Sequence, residues 1–169
     1  MRLQDLDWNE IFAKQMQFRN AVTYRLSTLN SISERIIGAA IEVHRELGPG
    51  LLESVYEICL VDELKDRSLA VEVRKNLPVV YKGKVLDKEL VADIMVENAV
   101  ILELKVVEHV LPVHQAQLLS YLRLTGRPLG LLLNFQVDIM ARGLTRIVND
   151  RVDVVQDAPP LSSRKRPPV

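Results

Sequence analysis

The pattern of hydrophobic and polar positions first predicts two helices. Apolar residues recur at helical spacing from Ser31 to about Leu47, and either Ser31 or Ser33 is the expected N-terminal cap. The Gly-Pro-Gly sequence at 48–50 ends this helix. The next segment, 51–67, again carries an apolar side at helical spacing. A pair of helices is therefore expected ahead of the first strands.

Strand signals follow the helices. The segment VEVRKNLPVVYKGKVL (71–86) alternates between apolar and polar residues, is interrupted at Pro78 and turns at Lys82-Gly83. A second hairpin covers about residues 88–107. This part of the chain predicts three strands connected by hairpins.

One more helix and at least one more strand complete the pattern. Pro112 suits the first turn of a helix that runs to Leu124 and ends before Gly126. The apolar run LGLLLNF (129–135) predicts a buried strand, and GLTRIVN (143–149) predicts a last one. The order helix, three strands, helix, strand predicts an α/β fold with a central mixed sheet flanked by helices.

The two ends of the chain lie outside this pattern. Residues 1–30 are mixed and weakly helical, so a helical extension is expected there, with a second copy or a protein partner as candidate contacts. Residues 31–155 form the predicted domain. Residues 156–169 contain several prolines and a short basic run, and disorder is expected there.

Composition narrows the class of protein. The chain has 169 residues and no run of about 18 apolar residues, so no membrane span is expected. Its N-terminus lacks a signal-peptide core, and its single Cys59 excludes an internal disulfide, so the cytoplasm is the expected location. The formal net charge of zero disfavours a general nucleic-acid coat but does not exclude an enzyme with local basic residues.

Three ionisable residues interrupt the second hairpin, in the stretch ADIMVENAVILELK (92–105). Because strand side chains alternate, Glu103 and Lys105 share one face. A two-residue turn would make Asp93 face away from Glu103. A three-residue loop at 97–99 would instead place Asp93 directly across from Glu103, and this register is our prediction.

The chemistry of this group depends on that register. Two facing carboxylates repel each other by about 1–4 kcal/mol, and a divalent cation relieves the repulsion. Oxygen ligands favour Mg²⁺ or Mn²⁺ over zinc. Lys105 could then orient or deprotonate a metal-bound water, or stabilise charge on an attacked phosphate. The alternative is an ordinary solvent-facing strand surface with a cross-strand ion pair.

These residues, together with two further motifs, resemble the signature of the PD-(D/E)XK nuclease superfamily. The resemblance covers about residues 31–150, although Ala92 stands where the signature has proline. GLLESVY (50–56) is similar to the motif that names the GxxExxY family, and QLLSY (117–121) is similar to the Q-x-x-x-Y motif of RecB-type exonucleases.

The resemblance implies a nuclease that depends on Mg²⁺ or Mn²⁺ and acts on nucleic acid, with DNA as the expected substrate. It implies that Lys105, Glu103, Asp93 and Glu53 are catalytic, that Asp93, Glu103, Glu53 and the backbone carbonyl of Leu104 bind the metal, and that Gln117 and Tyr121 contact the substrate strand.

Two rival functions stay open at this point. One is a nuclease fold without turnover that binds nucleic acid or a partner protein. The other is a structural α/β domain with an ordinary charged face, in which Glu53, Asp93 and Glu103 would not converge. Metal binding separates the enzyme from both.

Overall fold

A five-stranded mixed sheet forms the centre of the protein, seen in a computed structural model that describes residues 23–82 and 84–157. The strand order is β2-β3-β4-β5-β6, with β4 and β5 parallel and the other neighbours antiparallel. A separate parallel pair joins β1 to β7. The strands are β1 (Tyr24–Arg25), β2 (Val71–Tyr81), β3 (Lys84–Val96), β4 (Val100–Lys105), β5 (Leu129–Asn134), β6 (Leu144–Val148) and β7 (Val154–Val155).

Three α-helices cover this sheet. They are α1 (Leu26–Leu47), α2 (Glu53–Asp66) and α3 (Pro112–Thr125), and a short 3₁₀ turn at Met140–Gly143 precedes β6. The predicted order of helix, three strands, helix and strand is confirmed. None of the described helices is long and apolar enough to cross a membrane.

The two faces of the sheet have separate cores. Helices α1 and α2 pack on one face, where Ile36, Leu60 and Leu102 are among the fully buried side chains. Helix α3 packs on the other face, where Leu118 meets Ile101 and Leu132. Each fully buried leucine or isoleucine contributes about 1.5–3 kcal/mol through removal of its surface from water. Strand β4 is thus buried on both sides.

Helix α1 begins earlier than predicted, at Leu26. Ser33 does not cap it, because its hydroxyl donates to the carbonyl of Leu29 one turn back, at 2.7 Å. The first turn is instead capped by Asp157, which accepts from the backbone N–H of Ser27 at 2.9 Å and from its hydroxyl at 2.7 Å. A carboxylate at a helix N-terminus also interacts favourably with the helix dipole.

This capping alters the predicted boundaries. Residues 26–30 belong to the first helix of the domain, and Asp157, which the sequence assigned to the tail, contacts that helix. The rest of the predicted extension, 1–22, and of the predicted tail, 158–169, lies outside the described residues.

Pro78 does not end its strand. Strand β2 runs through Pro78, and the pairing register with β3 shifts between Pro78 and Val80. This is tolerated because β2 is an edge strand of the sheet, where a missing backbone donor leaves no ladder partner unsatisfied. The predicted turn follows at Lys82, whose φ is 48°.

The predicted three-residue loop between β3 and β4 is confirmed. Val96 pairs with Val100 across the loop, and the register continues to Ile94 opposite Leu102. Glu97 and Asn98 both adopt left-handed conformations, with φ of 51° and 50°. The same register, extended by one residue, places Asp93 across from Glu103.

Close packing of α3 completes the frame of the site. Gly130 on β5 lies under Leu118, and a Cβ at this position would come within 2.9 Å of that side chain. The absence of a side chain lets α3 approach the sheet, since Leu118 occupies the space. This approach brings Gln117, the residue before Leu118 on α3, toward Glu103.

Candidate metal centre

Strand β3 changes its orientation at Asp93. Ala92 packs on the α3 face and Ile94 on the opposite face, although residues two apart in a regular strand share a face. On β2, Arg74 lies opposite this point with a φ of 50°, and regular pairing holds on either side of it. Asp93 therefore stands at a local irregularity of the ladder rather than on a flat strand surface.

The carboxylate of Asp93 is held by the neighbouring strand. Its Oδ2 accepts a hydrogen bond from the backbone N–H of Leu104 at 2.8 Å. The Asp93 side chain thus binds a backbone N–H of β4 just beyond the last regular pair of β3 and β4. The bond fixes Asp93 beside the Glu103–Lys105 segment.

Glu103 is a buried carboxylate with only one satisfied oxygen. The residue is 3% exposed, and its Oε1 accepts from Lys105 Nζ at 2.7 Å and from Gln117 Nε2 at 3.4 Å. Its Oε2 is buried and has no hydrogen-bond partner among the residues that the structure describes. An unsatisfied buried polar atom costs about 1–3 kcal/mol, and more when it is charged.

Lys105 neutralises part of the negative charge of Glu103. Its Nζ donates to Glu103 Oε1 and also to the backbone carbonyl of Leu104 at 2.9 Å. Burial by itself lowers the pKa of Lys105, but the hydrogen bond to Glu103 and the surrounding carboxylates outweigh it and raise the pKa above its usual value. Lys105 is therefore a protonated ammonium at neutral pH.

The three acids interact electrostatically. Burial is the largest cause of a raised pKa at both Glu53 and Glu103, and the charge of Asp93 raises both further. Glu53 is the first residue of α2 and reaches the same group from the opposite layer. This mutual electrostatic influence disfavours the structural-domain alternative, in which the acids would stay apart.

The donor chemistry fits a divalent cation, although the ligands are not gathered around one point. The partnerless Oε2 of Glu103 and the nearby carboxylates are the hard oxygen donors that Mg²⁺ or Mn²⁺ prefers. No group of three or more Asp, Glu, His or Cys side chains in the described ranges is arranged to hold a metal ion. Lys105 contacts two expected ligands, Glu103 Oε1 and the Leu104 carbonyl, and leaves Glu103 Oε2 without a partner among the described residues.

Gln117 and Tyr121 lie on one face of α3, as their spacing predicts. Gln117 Nε2 donates to Tyr121 Oη at 3.0 Å and lies 3.4 Å from Glu103 Oε1. Tyr121 is buried in the core under α3. The pair thus orients an amide against the Glu103 carboxylate, and its contact with substrate stays a prediction.

Tyr56 and His44 have structural contacts. Tyr56 stacks on Phe135 with ring centroids 4.5 Å apart, and its hydroxyl donates to the carbonyl of Gly48 at 2.6 Å. These contacts hold the loop that leads into Glu53. His44 Nε2 lies 2.7 Å from the carbonyl of Val137.

Glu57 lies near the site and was not singled out by the sequence. Arg74 Nη1 lies 3.7 Å from Glu57 Oε2, one helical turn beyond Glu53. The spacing of Glu53 and Glu57 signals a shared helix face. Arg74 is one of the basic residues clustered around the β2–β3 hairpin, for which the sequence favours a solvated face over contact with a phosphate backbone, and no local pattern marks its left-handed backbone.

Comparisons with known proteins agree with this geometry. The PD-(D/E)XK nuclease superfamily model matches residues 30–147. No curated protein matches the chain. A solved structure described as "Crystal structure of SSO0001" is 25% identical, with a TM-score of 0.45, and the match covers 57% of this chain and 50% of that one. The chain thus spans half the length of that structure, and so weak a likeness carries no argument.

The superfamily match includes both acids of the hairpin, Lys105 and the α3 motif. It also covers well over half of the 169 residues. The chain therefore belongs to the PD-(D/E)XK nuclease superfamily.

Proposed function

We propose that the chain hydrolyses phosphodiester bonds of DNA with the help of Mg²⁺ or Mn²⁺, and that it belongs to the GxxExxY group of the superfamily. The observation that carries the proposal is the buried Oε2 of Glu103, which has no partner in residues 23–82 and 84–157 and lies beside the ammonium of Lys105. Most buried polar atoms are satisfied by hydrogen bonds, and the other exceptions among the described residues are arginine Nε atoms rather than carboxylate oxygens. An exception inside a cluster of acids supports a site for a cation.

Four groups would hold the metal. They are the carboxylates of Asp93, Glu103 and Glu53, the last directly or through water, and the backbone carbonyl of Leu104. A bound divalent ion would supply charge neutralisation at the attacked phosphate and lower the pKa of a coordinated water. The carboxylate of Asp93 is already oriented before a metal binds, because it accepts a hydrogen bond from the Leu104 N–H.

Lys105 acts as a positioned cation in this proposal. Its raised pKa favours the ammonium form, which donates hydrogen bonds to a phosphate oxygen rather than removing a proton. Its bond to Glu103 aims the ammonium at the space between β4 and α3. A fixed donor in a partly buried site stabilises developing charge more strongly than water does.

Gln117 contacts the same oxygen of Glu103 as Lys105 does. The amide lies against Glu103 Oε1, and the Tyr121 hydroxyl accepts from the same amide nitrogen. When Oε1 is engaged in this way, Oε2 is the oxygen left for the metal. Gln117 can also reach the substrate strand, since it is exposed.

The test combines Mn²⁺ titration with cleavage of labelled single- and double-stranded DNA and RNA. Asp93→Ala is expected to lose both metal binding and cleavage. Asp87→Ala, which removes an exposed acid from the same strand, is the matched control and should behave as wild type.

Each alternative has its own outcome. Metal binding without cleavage of any nucleic acid would leave the catalytically silent binding module. Cleavage of RNA but not of DNA would show that RNA is the substrate. Absence of metal binding in the wild type would refute the catalytic proposal, because the acid cluster would then have no cation to hold.

A further inference from the structure

Arg74 has an unusual backbone for its position. It lies in the interior of strand β2 with a φ of 50°, between Val73 and Lys75, which pair with the two neighbours of Asp93 on β3. Left-handed conformations are disfavoured for residues with a Cβ, and a strand interior normally avoids them. Such strain is retained where the surrounding structure enforces it, often at functional sites.

The side chain of Arg74 is exposed beside the acid cluster. Its side chain is 69% exposed, and its nearest acidic partner is Glu57 Oε2 at 3.7 Å. Its positive charge also acts on Glu53, where it opposes the effect of burial on the pKa. Arg74 therefore lies at the solvent side of the site, between the first turns of α2 and the kink of β3.

Stability does not account for this arrangement. Ion pairs with so exposed a partner contribute little, because water and salt screen them and two long side chains lose freedom. The site behind Arg74 holds three carboxylates, which repel an incoming polyanion. A guanidinium at the rim offsets that repulsion, and its planar fork of donors matches the oxygens of a phosphate.

We propose that Arg74 binds a backbone phosphate of the substrate strand and positions that strand over Asp93 and Glu103. This inference rests on the proposed function and adds a positioning residue to it. The left-handed backbone of Arg74 serves to aim the guanidinium along the edge of the acid cluster. Glu57 holds the side chain in place until a phosphate takes over the contact.

The backbone of Arg74 makes a sharp variant available. Glycine adopts a φ of 50° without strain, so Arg74→Gly should fold at least as stably as the wild type. A structural role for Arg74 predicts the opposite, a loss of stability. Arg146→Ala is the matched control, since Arg146 is an exposed arginine on β6, at the other edge of the same sheet.

The experiment measures cleavage by wild type, Arg74→Gly, Arg74→Lys and Arg146→Ala in Mn²⁺ over a range of salt concentrations. Arg74→Gly is expected to raise KM about tenfold with a smaller change in kcat. The dependence of log(kcat/KM) on log salt should flatten by about 0.7–0.9, as expected for one lost phosphate contact. Arg74→Lys should recover part of the affinity, and Arg146→Ala should match wild type.

An unchanged KM and salt slope in Arg74→Gly, with an active wild type, would overturn this inference alone. If the wild type cleaves nothing, the proposed function fails, and Arg74 is tested by binding of labelled oligonucleotides in EDTA. Weaker binding with a flatter salt slope in Arg74→Gly would then still support the phosphate contact. Equal binding, or no binding by the wild type, would refute it.

Discussion

Glu103 and Asn149 are both buried polar residues, at opposite ends of the sheet, and their surroundings differ. Asn149 is 1% exposed and fully satisfied: its amide donates to the carbonyls of Leu122 at 3.0 Å and Arg127 at 2.9 Å. Its Oδ1 accepts from the backbone N–H of Arg151 at 3.1 Å. Asn149 thus joins the end of α3 to the turn after β6.

Glu103 shows the reverse arrangement. It is equally buried, yet one carboxylate oxygen has no partner in the described part of the chain, and its pKa is raised chiefly by burial. Among the described residues, the other buried side-chain atoms without a partner are Nε atoms of Arg67, Arg123 and Arg127, so Glu103 is the one carboxylate in this state. A polar group left unsatisfied in the same sheet lowers stability and is retained where chemistry needs it.

The strongest test of this contrast is Glu103→Gln. Loss of a catalytic metal ligand is expected to lower kcat/KM by about 100-fold or more. The neutral amide should at the same time raise the melting temperature, because the buried site disfavours the ionised carboxylate. Cleavage assays and thermal unfolding measure the two effects.

Glu89→Gln makes the same chemical change at an exposed position of β3 and should alter neither quantity. A Glu103→Gln protein that is less stable than wild type would contradict the comparison, because Glu103 would then be a structural residue.

A second variant tests Asn149, whose side-chain amide is fully hydrogen-bonded. Asn149→Ala removes three hydrogen bonds from a buried position and should lower the free energy of unfolding by about 2 kcal/mol. For a protein of this size the melting temperature would fall by about 4–8 °C.

The activity of Asn149→Ala should be unaffected. Asn149 lies beyond the Leu129 end of β5, whereas Lys105 pairs with Asn134 at the other end of that strand. Activity per folded molecule should therefore equal that of wild type below the melting transition. A large fall in kcat would show that the two ends of the sheet are coupled.

A smaller effect is expected in the pH dependence of stability. The folded-state pKa of Glu103 lies above the ordinary 4.5, through burial and through the charges of Asp93 and Glu53, and despite Lys105. The folded protein therefore binds this proton more tightly than the unfolded chain. Ionisation of Glu103 at neutral pH lowers the stability, and acidification toward 4.5 removes that loss.

The measurement is the difference in melting temperature between Glu103→Gln and wild type across pH. The difference should be largest near neutral pH and shrink in acid, where both side chains are uncharged. A difference that grows as the pH falls would show that the pKa of Glu103 is lowered instead.

Much of the site could be predicted from short-range patterns. Strand alternation placed Glu103 and Lys105 together, and helical spacing placed Gln117 with Tyr121. The loop at 97–99 determined the register, since a two-residue turn would have made Asp93 face away from Glu103. These features follow from local periodicity and from which side chains avoid water.

Other features depend on contacts between distant segments. Asp157 caps α1 across 130 positions, and Ser33, which has the sequence of a cap, is bonded within the helix. The left-handed Arg74 and the second contact of Lys105, with the Leu104 carbonyl, likewise have no local signature. The sequence does not predict these contacts, because each side chain has several possible partners and only the folded chain brings one of them close.

The sequence by itself determined the order of the elements, the buried faces and the acidic and basic residues available for chemistry. The tertiary structure alone decided how those residues are satisfied: Asp93 is bonded to a backbone N–H, Lys105 lies between two expected ligands, and one oxygen of Glu103 has no partner among the described residues. The physical reason is that periodicity is a property of one segment, whereas hydrogen bonding and burial are properties of the segments that meet.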